Sequence, residues 1–315
     1  MTLQEFSDLE QRVFARASAR AAQPAPLSSL GHYKMAWGKP PPQPAAAVVP
    51  SMSLSDLLSD EWVLQWVGGL FVLQFGWMAL LYVVPSPMSS DVGMAAHQLT
   101  AAVPFAYAAY HGTRLWYFDE QHAALGADAR GRLYAASEDA FSLARFMFGM
   151  QVFDLLVTLI VPSLRKAEHL VHHGMTLLTA LCGLSGPFLM YQAAFFFGFV
   201  EVSSLPLVFV DLFRQFPRLH EGSPAGHSVN EMVRVAFALS FLLIRCVLWP
   251  LAVLQLLRDL YAVWAAGELE GQLQMATFCV TCSVLTFLQL YWGGKIVRAL
   301  LKMLAGDSSG REKEA

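Results

Sequence analysis

From Trp62 to Val297 the chain is a succession of apolar runs, each near the 20 or so residues that an α-helix needs to cross a bilayer. That one pattern leaves few folds open. Lipid offers no partner to a backbone N–H or C=O, so each run has to pair these groups within itself, as a helix does. We read spans over residues 62–84, 93–112, 139–161, 169–190, 192–212, 233–257 and 274–297. The second is the weakest, because His97, Pro104 and His111 interrupt it. Only 14% of the residues are charged, against about a quarter in a soluble protein. Short turns such as Gly186-Pro187 make neighbours antiparallel. The predicted fold is therefore all-α, a polytopic membrane bundle of about seven helices with no internal repeat.

Residues 1–60 read as an N-terminal arm, 61–303 as the membrane domain and 304–315 as a short polar tail. In the arm, Leu3, Phe6, Leu9 and Val13 recur at near-helical spacing, and Ser7-Asp8-Leu9-Glu10 has the form of a capping box. A short amphipathic helix on a membrane surface follows. Arg12, Arg16 and Arg20 would also suit a targeting sequence, but Asp8 and the two glutamates count against a transit peptide, and no apolar segment marks a cleaved signal. Lys39-Pro40-Pro41-Pro42-Gln43-Pro44 reads as an extended linker.

Lysines and arginines in short loops set orientation. Arg165 and Lys166 precede the fourth span, Arg214 and Arg218 follow the fifth, and Lys295, Arg298 and Lys302 follow the last. This places the C-terminus in the cytosol. Arg114, Arg130 and Arg132 would then face the opposite side, so the N-terminal half fits the rule less well. The net charge of −3 and the lack of a basic run give no reason to expect nucleic acid as a partner.

Polar groups at bilayer depth mark where chemistry or binding can occur. His169, His172, His173 and Thr176 stand at i, i+3, i+4 and i+7 and so share one helix face. Imidazoles exchange protons near neutral pH, so this face suits acid/base work or hydrogen bonding to a ligand. Glu201 lies near the middle of the fifth span, with Ser203 beside it and Ser204 one turn on. A shared polar site between the fourth and fifth spans is the expectation. Asp154 and Arg245 are the other deep charges, each the candidate ion-pair partner of the other in a structural role.

Other motifs carry less. Cys279-x-x-Cys282 is half a zinc site with no second half, Lys295 sits too near its span end for a retinal lysine, and haem between His97 or His111 and His172 lacks further support. We expect no metal and no cofactor.

In order and spacing, four segments resemble the TLC-domain family, shared by translocating-chain-associated membrane proteins, ceramide synthases and TLC-domain-only proteins. They are Phe148-Gly149-Met150-Gln151-Val152-Phe153-Asp154-Leu155, Glu168-His169-Leu170-Val171-His172-His173, Glu201-Val202-Ser203-Ser204-Leu205-Pro206-Leu207, and Leu288-Gln289-Leu290-Tyr291-Trp292 with Lys295. Arg245 sits where the TLC-domain-only branch has an arginine in its penultimate helix, and the likeness is closest to that branch over roughly residues 90–303.

The resemblance implies a barrel of six helices plus one in the endoplasmic reticulum or a related membrane, enclosing a lipid-sized cavity. In ceramide synthases the double histidine is catalytic, which would make His172 and His173 acid/base residues. Those enzymes also have a His-Asp-x-x-Asp segment where this chain has Phe199-Val200-Glu201-Val202-Ser203-Ser204. The leading expectation is a lipid-homeostasis protein with an intramembrane lipid-binding site, in which His169, Thr176, Glu201, Ser203, Ser204, Asp154 and Arg245 support the pair. The alternative is an acyltransferase joining acyl-CoA to a long-chain (sphingoid) base. A trafficking or translocation factor comes third.

Overall fold

The computed structural model describes residues 47–304. The amphipathic helix and proline-rich linker expected in the arm lie outside this range. Among the described residues there is no strand, and seven long helices stand where the apolar runs predicted them. They are α1 (Glu61–Val83), α2 (Val92–Thr113), α3 (Glu138–Ile160), α4 (Ala167–Leu184), α5 (Met190–Gln215), α6 (Pro224–Ala265) and α7 (Gln272–Leu304).

Five of these, α1, α3, α5, α6 and α7, are long and apolar enough to cross a membrane. The other two, α2 and α4, carry the histidines that depress their hydropathy. Topology still requires them to return across the bundle, since each links two helices that run the same way. The chain is an all-α polytopic membrane protein.

Short polar side chains set the helix starts. The carboxylates of Asp60 and Asp91 accept the backbone N–H of Val63 and Met94, and the Ser137 and Ser223 hydroxyls accept those of Ala140 and Gly226. Two ends differ from expectation. Helix α4 stops at Leu184, six residues before the expected limit, because Ser185-Gly186-Pro187 breaks it and Leu189 turns with φ 58°. Helix α6 runs 42 residues, well past both ends of its expected span.

Helix α3 is the centre of the bundle. Two thirds of its apolar window is buried, against 17% for α1, which packs on the outside. Phe146, Phe148 and Phe153 of α3 fill the core. At one end the segment before α1 straps across the interior: Met52 N–H bonds Leu184 O at 2.9 Å, and Val49, Met52 and Leu57 join the core cluster. The same end holds the short helices Glu120–Leu125 and Ala129–Tyr134. There Arg132 forks onto Asp259 with two bonds of 2.7 Å, and Arg130 meets Glu268 and Glu270 at 3.1 Å. We call this the strapped end and the other the open end.

Helices α2 and α5 cross backbone to backbone. A Cβ added to Gly112 would lie 2.2 Å from the Gly198 Cα, so only glycine fits. Around that crossing α5 is irregular, passing through a π-helical turn (Ala194–Gly198) and a 3-10 turn (Phe199–Ser203) before Ser204. Irregular backbone at membrane depth is stable only where protein covers it. Val200 to Ser204 are nearly all buried, and the Val200 carbonyl accepts the Ser203 hydroxyl at 2.8 Å.

Candidate functional site

Helix α4 begins at Ala167, so His172 lies about 7.5 Å inside the open end at 1.5 Å per residue. His169, His172, His173 and Thr176 are part-buried or buried on the face turned into the bundle, whereas Val171 and Leu178 on the opposite face are exposed. The helical spacing thus places the imidazoles inside the bundle, as expected.

His173 is held by α3. Its Nδ1 lies 2.9 Å from Gln151 Oε1 and 3.6 Å from Asp154 Oδ2. An amide oxygen only accepts, so Nδ1 carries the proton and Nε2 keeps a lone pair that can accept one. Gln151 and Asp154, one turn apart on α3, orient that ring. His172 packs edge-on against Trp292 of α7 with ring centroids 5.6 Å apart. The Thr176 hydroxyl donates to the His172 carbonyl at 2.9 Å and so serves its own helix. His169 sits nearest the open end, within electrostatic reach of Lys166 and Asp211.

The other half of the site joins α5 and α6. Arg245 lies in a π-helical turn (Leu242–Leu248) that interrupts α6, a feature often found at functional sites. Its guanidinium donates to Ser203 Oγ at 2.8 Å, Ser204 Oγ at 2.9 Å, Glu201 Oε2 at 3.3 Å and the Val200 carbonyl at 3.4 Å. Ser204 donates to Glu201 Oε2 at 2.6 Å. Arg245 therefore pairs with Glu201 and not, as expected, with Asp154, whose neighbour is His173. The 3-10 turn and the residue after it present Glu201, Ser203 and Ser204 to the π-helical turn of α6 that carries Arg245, and these two turns together account for the exchange.

The two halves communicate. Asp154 lies within electrostatic reach of Glu201, and His172 within reach of Arg245. Glu201 makes no direct bond to a histidine, so the site spans α3 to α6 and is not confined to α4 and α5. Several members escaped the sequence reading. Gln151 stands one turn from Asp154 inside a quoted motif, and Trp292 closes another. His97 of α2, in the sequence a break in the second span and a candidate haem ligand, lies in electrostatic reach of His169 and His173.

Not every polar atom here is paired. Among the described residues, the buried Nδ1 atoms of His97 and His172 have no hydrogen-bond partner, nor does the Gln289 amide one turn before Trp292. An unpaired buried group costs about 1–3 kcal/mol. Below the histidines, between α4, α5, α6 and α7, is an apolar cavity of about 20 Å³ lined by Thr179, Gly183, Gln192, Phe196, Phe278 and Cys282. That is room for about one water molecule, not for an acyl chain.

The sequence model of the TLC domain matches residues 90–298. The chain belongs to the TLC-domain family. The match begins just before α2 and ends in α7, so α1 lies outside it. Membership makes this a multi-pass membrane protein of lipid-related function. No curated protein and no solved structure matches the chain.

Proposed function

We propose that the α3–α6 site binds the polar head of a membrane lipid, and that the protein serves lipid homeostasis in the endoplasmic reticulum or a related endomembrane. One observation carries this reading: buried imidazole atoms without partners face the same interior as a satisfied Glu201–Arg245 network. Such groups hold a place for a ligand's hydrogen bonds. The test is lipid analysis of protein purified in mild detergent. A defined lipid should co-purify with wild type and be depleted in His172→Ala/His173→Ala, and cellular lipid composition should change when the protein is removed. An unchanged lipid profile after removal would end this reading.

A second reading has one observation in its favour. The Nδ1–H form of His173, oriented by Gln151 and Asp154, leaves Nε2 as a base, as acyl transfer from acyl-CoA to a long-chain base requires. Against it, Glu201 is tied to Arg245, and the His-Asp-x-x-Asp segment is missing. Purified protein with labelled acyl-CoA and long-chain base decides: equal background from wild type and the double alanine variant removes the enzyme.

A further inference from the structure

Met147 of α3 is 1% exposed and packed in the core, where a methionine ordinarily does no more than fill space. Here its thioether also accepts a hydrogen bond. Gln151 stands one turn further on the same face of α3, 4% exposed, and its amide Nε2 donates to Met147 Sδ at 3.2 Å. The other end of that amide, Oε1, lies 2.9 Å from His173 Nδ1. The nearer oxygen of Asp154 is 3.6 Å from the same nitrogen, beyond hydrogen-bonding length. The amide therefore holds the ring, whatever the charge on Asp154.

The sulfur decides which way the amide lies. A thioether only accepts, so it fixes the NH2 end and turns the oxygen towards His173. That oxygen in turn requires the proton on Nδ1, since the bond at one ring nitrogen sets the tautomer. With the amide reversed, its NH2 would donate to Nδ1 and the ring proton would move to Nε2. Oε1 would then meet a sulfur that has no hydrogen to give. Amide and tautomer thus flip together, and Met147 favours one of the two states. In that state Nε2 keeps its lone pair. It meets no hydrogen-bonding group among the described residues, and the His173 side chain is still 16% exposed. A lone pair is answered by a donor, a hydroxyl or an amine, and not by an ester carbonyl.

We infer that Met147, acting through Gln151, is a positioning residue that keeps His173 in its Nδ1–H form, and that the ligand's head meets His173 with a hydrogen-bond donor. The second half rests on the lipid-binding reading above. The first stands on contacts within the protein.

The experiment is nitrogen NMR of full-length protein with isotope-labelled histidine, in nanodiscs at alkaline pH. Wild type should show a protonated Nδ1 and a bare Nε2 at His173, the signal being assigned by its loss in His173→Ala. Met147→Leu nearly conserves volume and should melt close to wild type. Its ratio of Nδ1–H to Nε2–H should nevertheless fall about fivefold, one hydrogen bond's worth. Gln151→Leu should lower the ratio at least as far, and adding Met147→Leu to it should change nothing more, because the sulfur acts only through the amide. Binding of oleyl alcohol and methyl oleate then reads the head. Wild type should bind the alcohol about fivefold more tightly than the ester, and Met147→Leu should narrow that gap. A proton on Nε2 in wild type, or a ratio that Met147→Leu leaves unchanged, overturns the inference. Equal binding of alcohol and ester overturns the assignment of the head. The expected tautomers with no binding of either probe leave Met147 its role and remove the lipid-site reading itself.

Discussion

At the scale of the residue, the Glu201–Arg245 pair is the tightest constraint in the bundle. Both side chains are nearly buried, at 11% and 7% exposed. Attraction between buried charges roughly offsets the loss of their hydration, so the pair adds little net stability while either partner alone is costly. Arg245→Met strands Glu201 and should destabilise by about 3–5 kcal/mol in an SDS unfolding titration. Glu201→Gln leaves Arg245 bonded to Ser203, Ser204 and the Val200 carbonyl and should lose less, roughly 1–3 kcal/mol. The double variant should be less damaged than the sum; strict additivity would show that the pair is not coupled. The histidine face was readable from spacing alone, because 3.6 residues per turn fixes which side chains point together. The partner of Arg245 was not. Asp154 and Glu201 are both deep acids on neighbouring helices, and the choice depends on the π-helical turn that rotates α6 by an extra residue. Hydropathy carries no sign of such a turn.

At the scale of the element, glycine use separates packed faces from lipid-facing ones. Gly112 and Gly198 let α2 and α5 touch, and this contact sets the irregular turn that carries Glu201. Small residues at helix crossings replace the hydrophobic drive that is absent between helices in lipid. Gly112→Ala would force the backbones apart, at about 1–3 kcal/mol or more, with lower yield of monodisperse protein and displacement of Glu201. In α1, Gly68 and Gly76 have nothing within 4 Å of an added Cβ. Alanine there should be neutral or stabilise by roughly 0.5–1 kcal/mol. If Gly112→Ala and Gly76→Ala melt alike, the close crossing is wrong. All seven helices were legible as apolar runs, and four of them, α1, α2, α3 and α6, also have a short polar side chain at the start. The break after Leu184 and the full length of α6 were less so, because hydropathy marks what lies in lipid and not where helical hydrogen bonding stops.

At the scale of the whole molecule, both ends carry lysines and arginines, and the strapped end pairs most of its arginines with carboxylates. At the strapped end Arg114 meets Asp139, Arg130 meets Glu268 and Glu270, Arg132 meets Asp259, and Arg145 meets Asp60. At the open end Arg214 meets Asp211, and Arg234 further into α6 meets Glu231, while Lys166, Arg218, Lys295 and Lys302 have no carboxylate within 4.0 Å among the described residues. Burial decides which of these pairs hold the fold. Arg132→Ala strands an Asp259 side chain only 4% exposed and should lose about 3–5 kcal/mol. Arg130→Ala removes contacts between side chains more than half exposed, where pairs contribute about 0–1 kcal/mol. Arg165, Lys166, Arg214, Arg218, Lys295, Arg298 and Lys302 at the open end outnumber Arg114, Arg130, Arg132, Arg145 and Arg258 at the strapped end, so the open end, the histidines and the C-terminus should face the cytosol. Sealed endoplasmic-reticulum microsomes, whose outer face is the cytosolic one, test this directly. Cysteine placed at Arg218 or Lys302 should react with an impermeant maleimide before detergent is added. Cysteine placed at Ala127 or Gly267, at the strapped end, should react only after it. The reverse pattern would overturn the orientation and would put the mouth of the histidine site in the lumen, beyond the reach of any ligand delivered from the cytosol.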